Sequence, residues 1–338
     1  MYNSLLINRI KNIKGNRVLV APLNWGLGHA TRCVPVIKLL LAENREVVIA
    51  SEGYPLQFLK EEFPNLQTVE FSGLKVKYSK GNSQVLAMMM HIPQFVYHIV
   101  KEHFILKKTI NIYNINTVIS DNRFGLWHKS VKSIYITHQI GVKIGKNMRI
   151  LNKIAYLLHK FIINRYSECW IPDFEDGNNL SGDLSHKYPL PENTFFVGIL
   201  SRFSNEQPTV KTQQNYKNVA VISGVEPHRT ILQKKLLKLF LNSGGKCLII
   251  AGKPAERINI ENISNVTIIS HLSDEEFAQT LQNAENIYCR SGYSTLMDLY
   301  ALGIKSAILI PTPGQTEQQY LAEHFKNKGF IILKQNEI

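Results

Sequence analysis

Residues 289–319, CRSGYSTLMDLYALGIKSAILIPTPGQTEQQ, read in one unbroken run as strand end, tight loop, helix, strand and loop. Ile287 to Cys289 closes a short apolar strand, and Ser291 and Gly292 make a turn with little side chain. Ser294 or Thr295 is expected to open a helix whose first amide groups have no partner within the helix. Such a helix start attracts phosphate, because unpaired N–H groups and the helix dipole both favour negative charge there. One turn on, Asp298 offers a carboxylate suited to a ribose hydroxyl, and the next loop brings Gln315, Glu317, Gln318 and Gln319. Together these suit a diphosphate carrying two sugars.

The same alternation extends in both directions. Upstream in this half, strands are expected at Asn218 to Ile222, Cys247 to Ala251 and Val266 to Ser270. Downstream they are expected at Ala307 to Ile310 and Phe330 to Leu333, with helical segments such as Ile231 to Leu241 between. Further anion-binding loops are placed at Ser223-Gly224 and Gly252-Lys253, with Leu272 and Arg290 beside the bound diphosphate. Residues 202–217, RFSNEQPTVKTQQNYK, are polar and aperiodic, which is the composition of a linker. Before them a second series begins with the apolar run Arg17 to Leu23, typical of a parallel strand buried on both faces. It continues with strands at Glu46 to Ala50, Thr68 to Phe71, Asn116 to Asp121, Ser133 to His138, Cys169 to Pro172 and Thr194 to Gly198. The expected architecture is α/β, with two tandem doubly wound, Rossmann-like domains facing a cleft, over residues 1–201 and 218–338.

The first strand leads into Asn24-Trp25-Gly26-Leu27-Gly28-His29-Ala30-Thr31-Arg32, read as a glycine loop before a helix that runs to Leu41. Gly26 and Gly28 would let backbone approach a phosphate or the acceptor. The spacing is G-x-G-x-x-T, so the third glycine of a dinucleotide fingerprint is missing. Glu52, at the end of the second strand, keeps a nicotinamide or flavin enzyme as an alternative for this half. His29 is the first candidate for a general base, since its unperturbed pKa suits proton transfer near neutral pH. Asp121 and His138, both at strand ends, are the second and third.

The chain of 338 residues is long enough for two cores, and 44% hydrophobic composition fills them. The formal charge of +13 is uneven. Residues 1–195 hold 24 Lys+Arg against 14 Asp+Glu, and the remainder 15 against 12. Two long stretches in the basic half, Ile92 to Tyr113 and Arg149 to Tyr166, are apolar but too charged to span a bilayer; they read as crossover helices, part of whose surface meets an anionic membrane or a lipid-linked acceptor. Aromatic residues are not interleaved with the basic ones, which disfavours nucleic acid. Four scattered cysteines without a CxxC pair indicate neither zinc nor a disulfide framework, and no signal peptide is visible. A cytoplasmic protein is expected, peripheral on the inner face of the membrane.

Cys289-Arg290-Ser291-Gly292, then Asp298, Ala301, Gly303 and Pro311, then Gln318-Gln319-Tyr320, resembles the donor-binding segment of glycosyltransferase family 28, whose members include MurG-like enzymes and galactolipid synthases. Gly26, Gly28 and His29 resemble that family's N-terminal loop. The resemblance implies the two-domain GT-B architecture and an inverting, metal-independent transfer of a hexose or N-acetylhexosamine from a UDP-sugar. It implies that Asp298 binds the ribose and that Gln318 and Gln319 bind the sugar. No cofactor is implied, the nucleotide sugar being a co-substrate. A sugar-nucleotide 2-epimerase of the same architecture, or an inactive nucleotide-sugar-binding protein, are the alternatives. The chain stops at Ile338, just after a strand, and the resemblance implies further helices beyond it, hence a truncated C-terminal domain.

Overall fold

The structure is a computed structural model that describes residues 4–73, 92–143, 148–204, 216–224, 226–253 and 260–338. The chain forms two compact units that meet in sequence between Ser201 and Arg202. Most of the stretch read as a linker, 205–215, lies outside the described residues.

The first unit runs α1 (Ser4–Lys11), β1 (Arg17–Pro22), α2 (Leu27–Ala42), β2 (Glu46–Ser51), α3 (Gly53–Glu62), β3 (Gln67–Glu70), α4 (Ile92–Tyr113), β4 (Thr117–Asp121), β5 (Lys132–Ile136), α5 (Arg149–Ile163), β6 (Glu168–Ile171), α6 (Asp183–His186) and β7 (Thr194–Phe196). Its strands are ordered β3-β2-β1-β4-β5-β6-β7, all parallel. Strands β1, β2 and β4 are buried along almost their whole length because helices cover both faces, which is why they read as continuous apolar runs rather than alternating ones. On one face Leu106 and Ile110 of α4 pack against Leu19, Val48, Phe71 and Val118. Further along the sheet Tyr156 and Ile163 of α5 pack against Tyr135, Cys169 and Ile171.

The second unit runs β8 (Asn218–Val221), α7 (His228–Leu241), β9 (Cys247–Ile250), β10 (Ile260–Ile263), β11 (Val266–Ile269), α8 (Asp274–Gln282), β12 (Asn286–Cys289), α9 (Tyr293–Ala301), β13 (Ile308–Leu309), α10 (Thr316–Lys326) and β14 (Ile331–Ile332). The sheet order is β10-β11-β9-β8-β12-β13-β14. Without the antiparallel edge strand β10 it has the strand order of the first unit. Leu232, Leu236 and Phe240 of α7 close the core over Ala220, Ile249 and Val266.

Four details differ from the sequence reading. Strand β10 was not foreseen; its residues, IENI, are nearly all exposed, so no apolar pattern announces it. Helix α2 begins at Leu27, so Gly28 and His29 belong to its first turn instead of a loop, and Gly26 is its N-cap at φ +93°, a conformation that favours glycine. Helix α9 begins at Tyr293 with Gly292 as N-cap, ahead of the expected start at Ser294 or Thr295. Helix α5 stops at Ile163, short of Tyr166.

In each sheet the chain turns in opposite directions from two adjacent strands, β1 and β4 in the first unit and β8 and β12 in the second. Helices leaving such a pair diverge and open a crevice at the strands' carboxyl ends, which is where ligands of this fold class bind. The loop that flanks the second crevice is tightly built. Gly252 sits at φ +65°, and a Cβ placed there would lie 2.3 Å from the Ile222 carbonyl oxygen. Gly252→Ala is therefore expected to destabilise the second unit by about 1–3 kcal/mol, the usual range for overpacking and strain. Denaturant unfolding measures it, and an unchanged midpoint would mean that the β9–β10 loop can retreat from Ile222.

Candidate active site and nucleotide site

At the first switch point β4 ends in Asp121, which is fully buried. The chain then turns sharply at Asn122, held at φ +56° by hydrogen bonds in which Tyr135 Oη and Thr137 Oγ1 donate to its Oδ1 at 3.0 and 3.4 Å. Helix α2 rises beside this turn and presents His29 and Arg32, three residues apart and so on one face. Arg32 Nε donates to Asp121 Oδ2 at 3.0 Å, and its Nη2 donates to Oδ1. Burial by itself would push the Asp121 carboxyl up; the Arg32 guanidinium and His29 outweigh it and hold the group below its ordinary value. Cys33, on the same helix, is pushed up by burial and by the Asp121 charge, so it stays a thiol.

The two histidines engage this ion pair differently. Arg32 Nη1 lies 3.1 Å from His138 Nδ1, and a guanidinium can only donate. His138 Nδ1 is therefore an acceptor in this arrangement, which leaves the ring neutral with its proton on Nε2. His29 Nδ1 lies 2.8 Å from Arg32 Nη2 and 3.2 Å from Asp121 Oδ2. With a proton on Nδ1 it donates to the carboxylate and leaves the Nε2 lone pair available as a base; without one it accepts from Arg32. His29 is also the least enclosed member, with 18% of its side chain exposed against 0% for Asp121 and 1% for Arg32. It is thus the group that can meet a substrate.

The three expected acid–base residues therefore converge, with a fourth that the sequence reading missed. Arg32 sits among the apolar residues of α2 and is itself buried, so nothing in composition marks it. The signal was the His-x-x-Arg spacing on a helix that follows the first strand. Glu52, the ribose acid of the dinucleotide alternative, instead accepts at Oε1 from Asn24 Nδ2 and from the Gly73 amide, fastening the segment that leads to α2. Asp173, at the end of β6, accepts from the amides of Phe174, Leu180 and Ser181, each at 2.8 Å.

At the second switch point Gly292 begins α9 with no side chain capping its amides. Asp298 lies in the second turn of α9, outside the first-turn range where an acid caps, so capping is not its use. Ser291 Oγ donates to the Gln318 carbonyl at 2.8 Å, and Gln318 Oε1 accepts from the Thr312 amide at 2.9 Å. These bonds lock the β12–α9 loop to the β13–α10 loop. Gln315 is the N-cap of α10 and Gln319 is exposed on its first turn. Ser223 and Gly224 follow β8, with Gly224 at φ +99°, and Leu272 lies between β11 and α8. Arg290 differs from its expected use as a donor contact. Its Nη1 donates to the Ile310 carbonyl at 3.1 Å, and its Nη2 to the His228 carbonyl at 2.9 Å and to Gln335 Oε1 at 2.6 Å, so it braces three segments from inside.

Four buried polar atoms at this end of the sheet have no hydrogen-bond partner among the described residues: Thr312 Oγ1, Arg290 Nε and both ring nitrogens of His228. Buried polar groups are nearly always paired, so such a group of orphans marks a place where water or a ligand completes the bonding. Burial and the neighbouring Arg290 push His228 below its ordinary value, which keeps that imidazole neutral at pH 7.

Residues 220–338 match the model of the glycosyltransferase family 28 C-terminal domain. A relative from Methanosarcina acetivorans described as an uncharacterized glycosyltransferase is 20% identical, over 93% of this chain and 84% of its own length. Among solved structures, the glycotransferase of kitacinnamycin superposes with a TM-score of 0.62 at 14% identity, covering 96% of this chain and 88% of its own. Arabidopsis thaliana UGT89C1, solved with UDP-L-rhamnose, superposes at 0.60 and 13%, covering 96% and 87%. The fold is that of the GT-B glycosyltransferases, residues 220–338 carry the family 28 C-terminal domain, and the chain is similar to glycosyltransferases over almost its whole length.

The Asp121 ion pair makes a prediction that is independent of substrate. Asp121→Asn should cost about 3–5 kcal/mol at neutral pH, because it leaves a buried guanidinium without its counter-charge. The folded carboxyl titrates below the unfolded one, which lies near 3.9, so its contribution is fully present above about pH 3.9 and is lost as pH falls through the folded value. Unfolding of the two proteins compared across pH should show the difference shrinking only below about pH 3.9. A difference that stayed constant to lower pH would contradict the depressed carboxyl.

Proposed function

We propose that this family 28-type glycosyltransferase moves a hexose or N-acetylhexosamine from a nucleotide sugar, UDP-linked by preference, to a hydroxyl of a saccharide or lipid-linked acceptor. Transfer is inverting and uses no metal. The observation that carries the reading is the contact between His29 Nδ1 and Asp121 Oδ2 at the crevice of the first sheet. A histidine so held removes the hydroxyl proton as the new bond forms, and the carboxylate stabilises the imidazolium that results. His138, whose Nδ1 faces Arg32, is assigned a hydrogen-bonding role through Nε2 instead of base catalysis.

The leaving diphosphate gains negative charge as the sugar departs, and the transition state is favoured wherever donors already point at that charge. The uncapped amides of α9, with Ser291, Gly292 and the loops at Ser223-Gly224 and Gly252, are assigned that task. Asp298 holds the ribose, and Gln315, Gln318 and Gln319 line the sugar side. A structural neighbour solved with UDP-L-rhamnose and another solved with thymidine diphosphate support a nucleoside diphosphate as the donor's carrier.

The lipid-linked acceptor rests on the outer surface of α5. Ile150, Ile154, Leu157, Leu158 and Phe161 form one stripe along it, exposed by 47–78%, while Tyr156, His159 and Ile163 form the buried face. Arg149, Lys153 and Lys160 lie on the same helix. Each such apolar side chain gains about 1.5–3 kcal/mol when withdrawn from water, and adjacent basic residues favour an anionic surface. No described helix is long and apolar enough to cross a membrane, so the contact is peripheral.

Two tests follow. Among UDP-sugars offered with saccharide and glycolipid acceptors, one pair should give turnover; His29→Ala should lower it by about 10²–10⁴-fold with UDP affinity unchanged, whereas Asp298→Ala should weaken UDP binding by about 1–3 kcal/mol. Loss of UDP binding on changing His29, or none on changing Asp298, would overturn these assignments. In liposome flotation with anionic vesicles the chain should float, and Leu158→Glu should reduce the floating fraction. Wild-type protein left at the bottom at moderate salt would remove the membrane from the proposal.

A further inference from the structure

The first unit contains a cavity of about 50 Å³ lined by Leu23, Trp25, Asn122, Arg123 and Phe124 from the loops after β1 and β4, and by Phe95, His98, Ile99 and Glu102 of α4. It opens at the same switch point as the His29–Asp121 pair, since Asn122 directly follows Asp121 and Trp25 directly precedes the N-cap of α2. Leu23, Trp25, Phe95, Ile99 and Phe124 form its apolar part, with Phe95 and Phe124 edge to face at 5.4 Å, and His98, Glu102, Asn122 and Arg123 its polar part. Helix α4 is pressed against the β4 loop: a Cβ at Gly125 would lie 2.3 Å from the Ile99 carbonyl oxygen. That close approach brings Glu102 to Arg123.

Glu102 is only 6% exposed, and its bonding is one-sided. Oε1 accepts from Arg123 Nε at 3.2 Å and from Nη2 at 2.8 Å. Oε2 receives no hydrogen bond from the described residues, and Glu102 is one of the residues that line the cavity. A carboxylate buried to this degree is costly unless every lone pair finds a donor. Arg123 balances the charge and leaves the second oxygen as an unused acceptor in an aromatic pocket. By the measure on which one water needs about 10–15 Å³, the space of about 50 Å³ takes about three to five hydroxyl-sized groups, not a whole sugar ring.

We propose that this cavity binds the hydroxyl-bearing edge of a saccharide acceptor, with Glu102 Oε2 accepting a hydrogen bond from a hydroxyl and Trp25 packing against the ring's apolar face. Charge-assisted bonds of this kind are about twice as strong as neutral ones, and aromatic walls suit the C–H face of a sugar. Glu102 is thereby a specificity residue for the transfer proposed above, on which this inference rests.

The test titrates the full chain with octyl β-D-glucopyranoside below its micelle concentration and follows tryptophan emission. Parallel calorimetry with UDP reports on the second unit. Wild-type protein should show a saturable change that Trp25→Phe removes. Glu102→Gln replaces the free acceptor with a donor and also removes the counter-charge of Arg123, so it is measured at a temperature where the variant remains folded, and there it should weaken the glucoside at least tenfold. Ile99→Phe, which fills the cavity without touching the ion pair, should abolish the effect, and UDP affinity should be the same in all four proteins. A saturable change of equal strength in Glu102→Gln and Ile99→Phe, or none in wild type that still binds UDP, would overturn the cavity assignment. Glucoside binding that depends on Glu102 in a chain that fails to bind UDP would uphold the cavity and contradict the transferase reading instead.

Discussion

The buried pair between Arg32 and Asp121 is the constraint on which the first unit depends. Taking two such charges out of water costs several kcal/mol per ion, and the cost is recovered only by close geometry and full hydrogen bonding. Arg32 meets that condition by donating to both carboxylate oxygens and to His138 Nδ1, with His29 Nδ1 lying between its Nη2 and the carboxylate. The result ties α2 to the end of β4 across the switch point. It also fixes which histidine accepts a hydrogen bond and which one can exchange a proton. A substitution at Arg32 would therefore change the state of His29 and His138 together, even though Arg32 itself is enclosed.

The two units have the same strand order and use their switch points in opposite ways. In the first, the crevice holds an ionised cluster arranged around one carboxylate, the kind of environment that moves protons. In the second, the charged side chain at the equivalent place, Arg290, is turned inward to brace carbonyls, and the crevice lies at the glycine-capped start of α9, beside the neutral polar groups of Thr312 and His228. Amides suit a diphosphate because they are aimed by the backbone and need no reorganisation as charge develops. The proposed transfer assigns the first unit to the group that loses a proton and the second to the group that leaves as an anion.

The parallel strands were legible because burial on both faces leaves uninterrupted apolar runs, as in Arg17 to Pro22 and Cys247 to Ile250. Asp121 and His138 were legible from their places at strand ends, and His29 from its place at the glycine turn before α2, since the switch point is where this fold keeps its polar residues. Arg32 was not, because a cation on the buried face of an apolar helix looks like an ordinary surface charge until its partner, 89 residues away, is brought beside it. Arg290 misled for the converse reason: an arginine beside a glycine turn suggests an anion contact, and only the carbonyls of Ile310 and His228 show why it is there. Glu102 carries no motif at all, and its use follows from how tightly α4 packs on Gly125.

Hydrogen exchange of the full chain with and without UDP tests the central claim, that the nucleotide is held by the second unit while the first supplies the base. The account predicts that UDP slows exchange at the amides of 223–224, 252–253 and 291–296 and leaves those of 24–33 and 121–123 unchanged. Protection at 24–33 with none around Gly292 would contradict it.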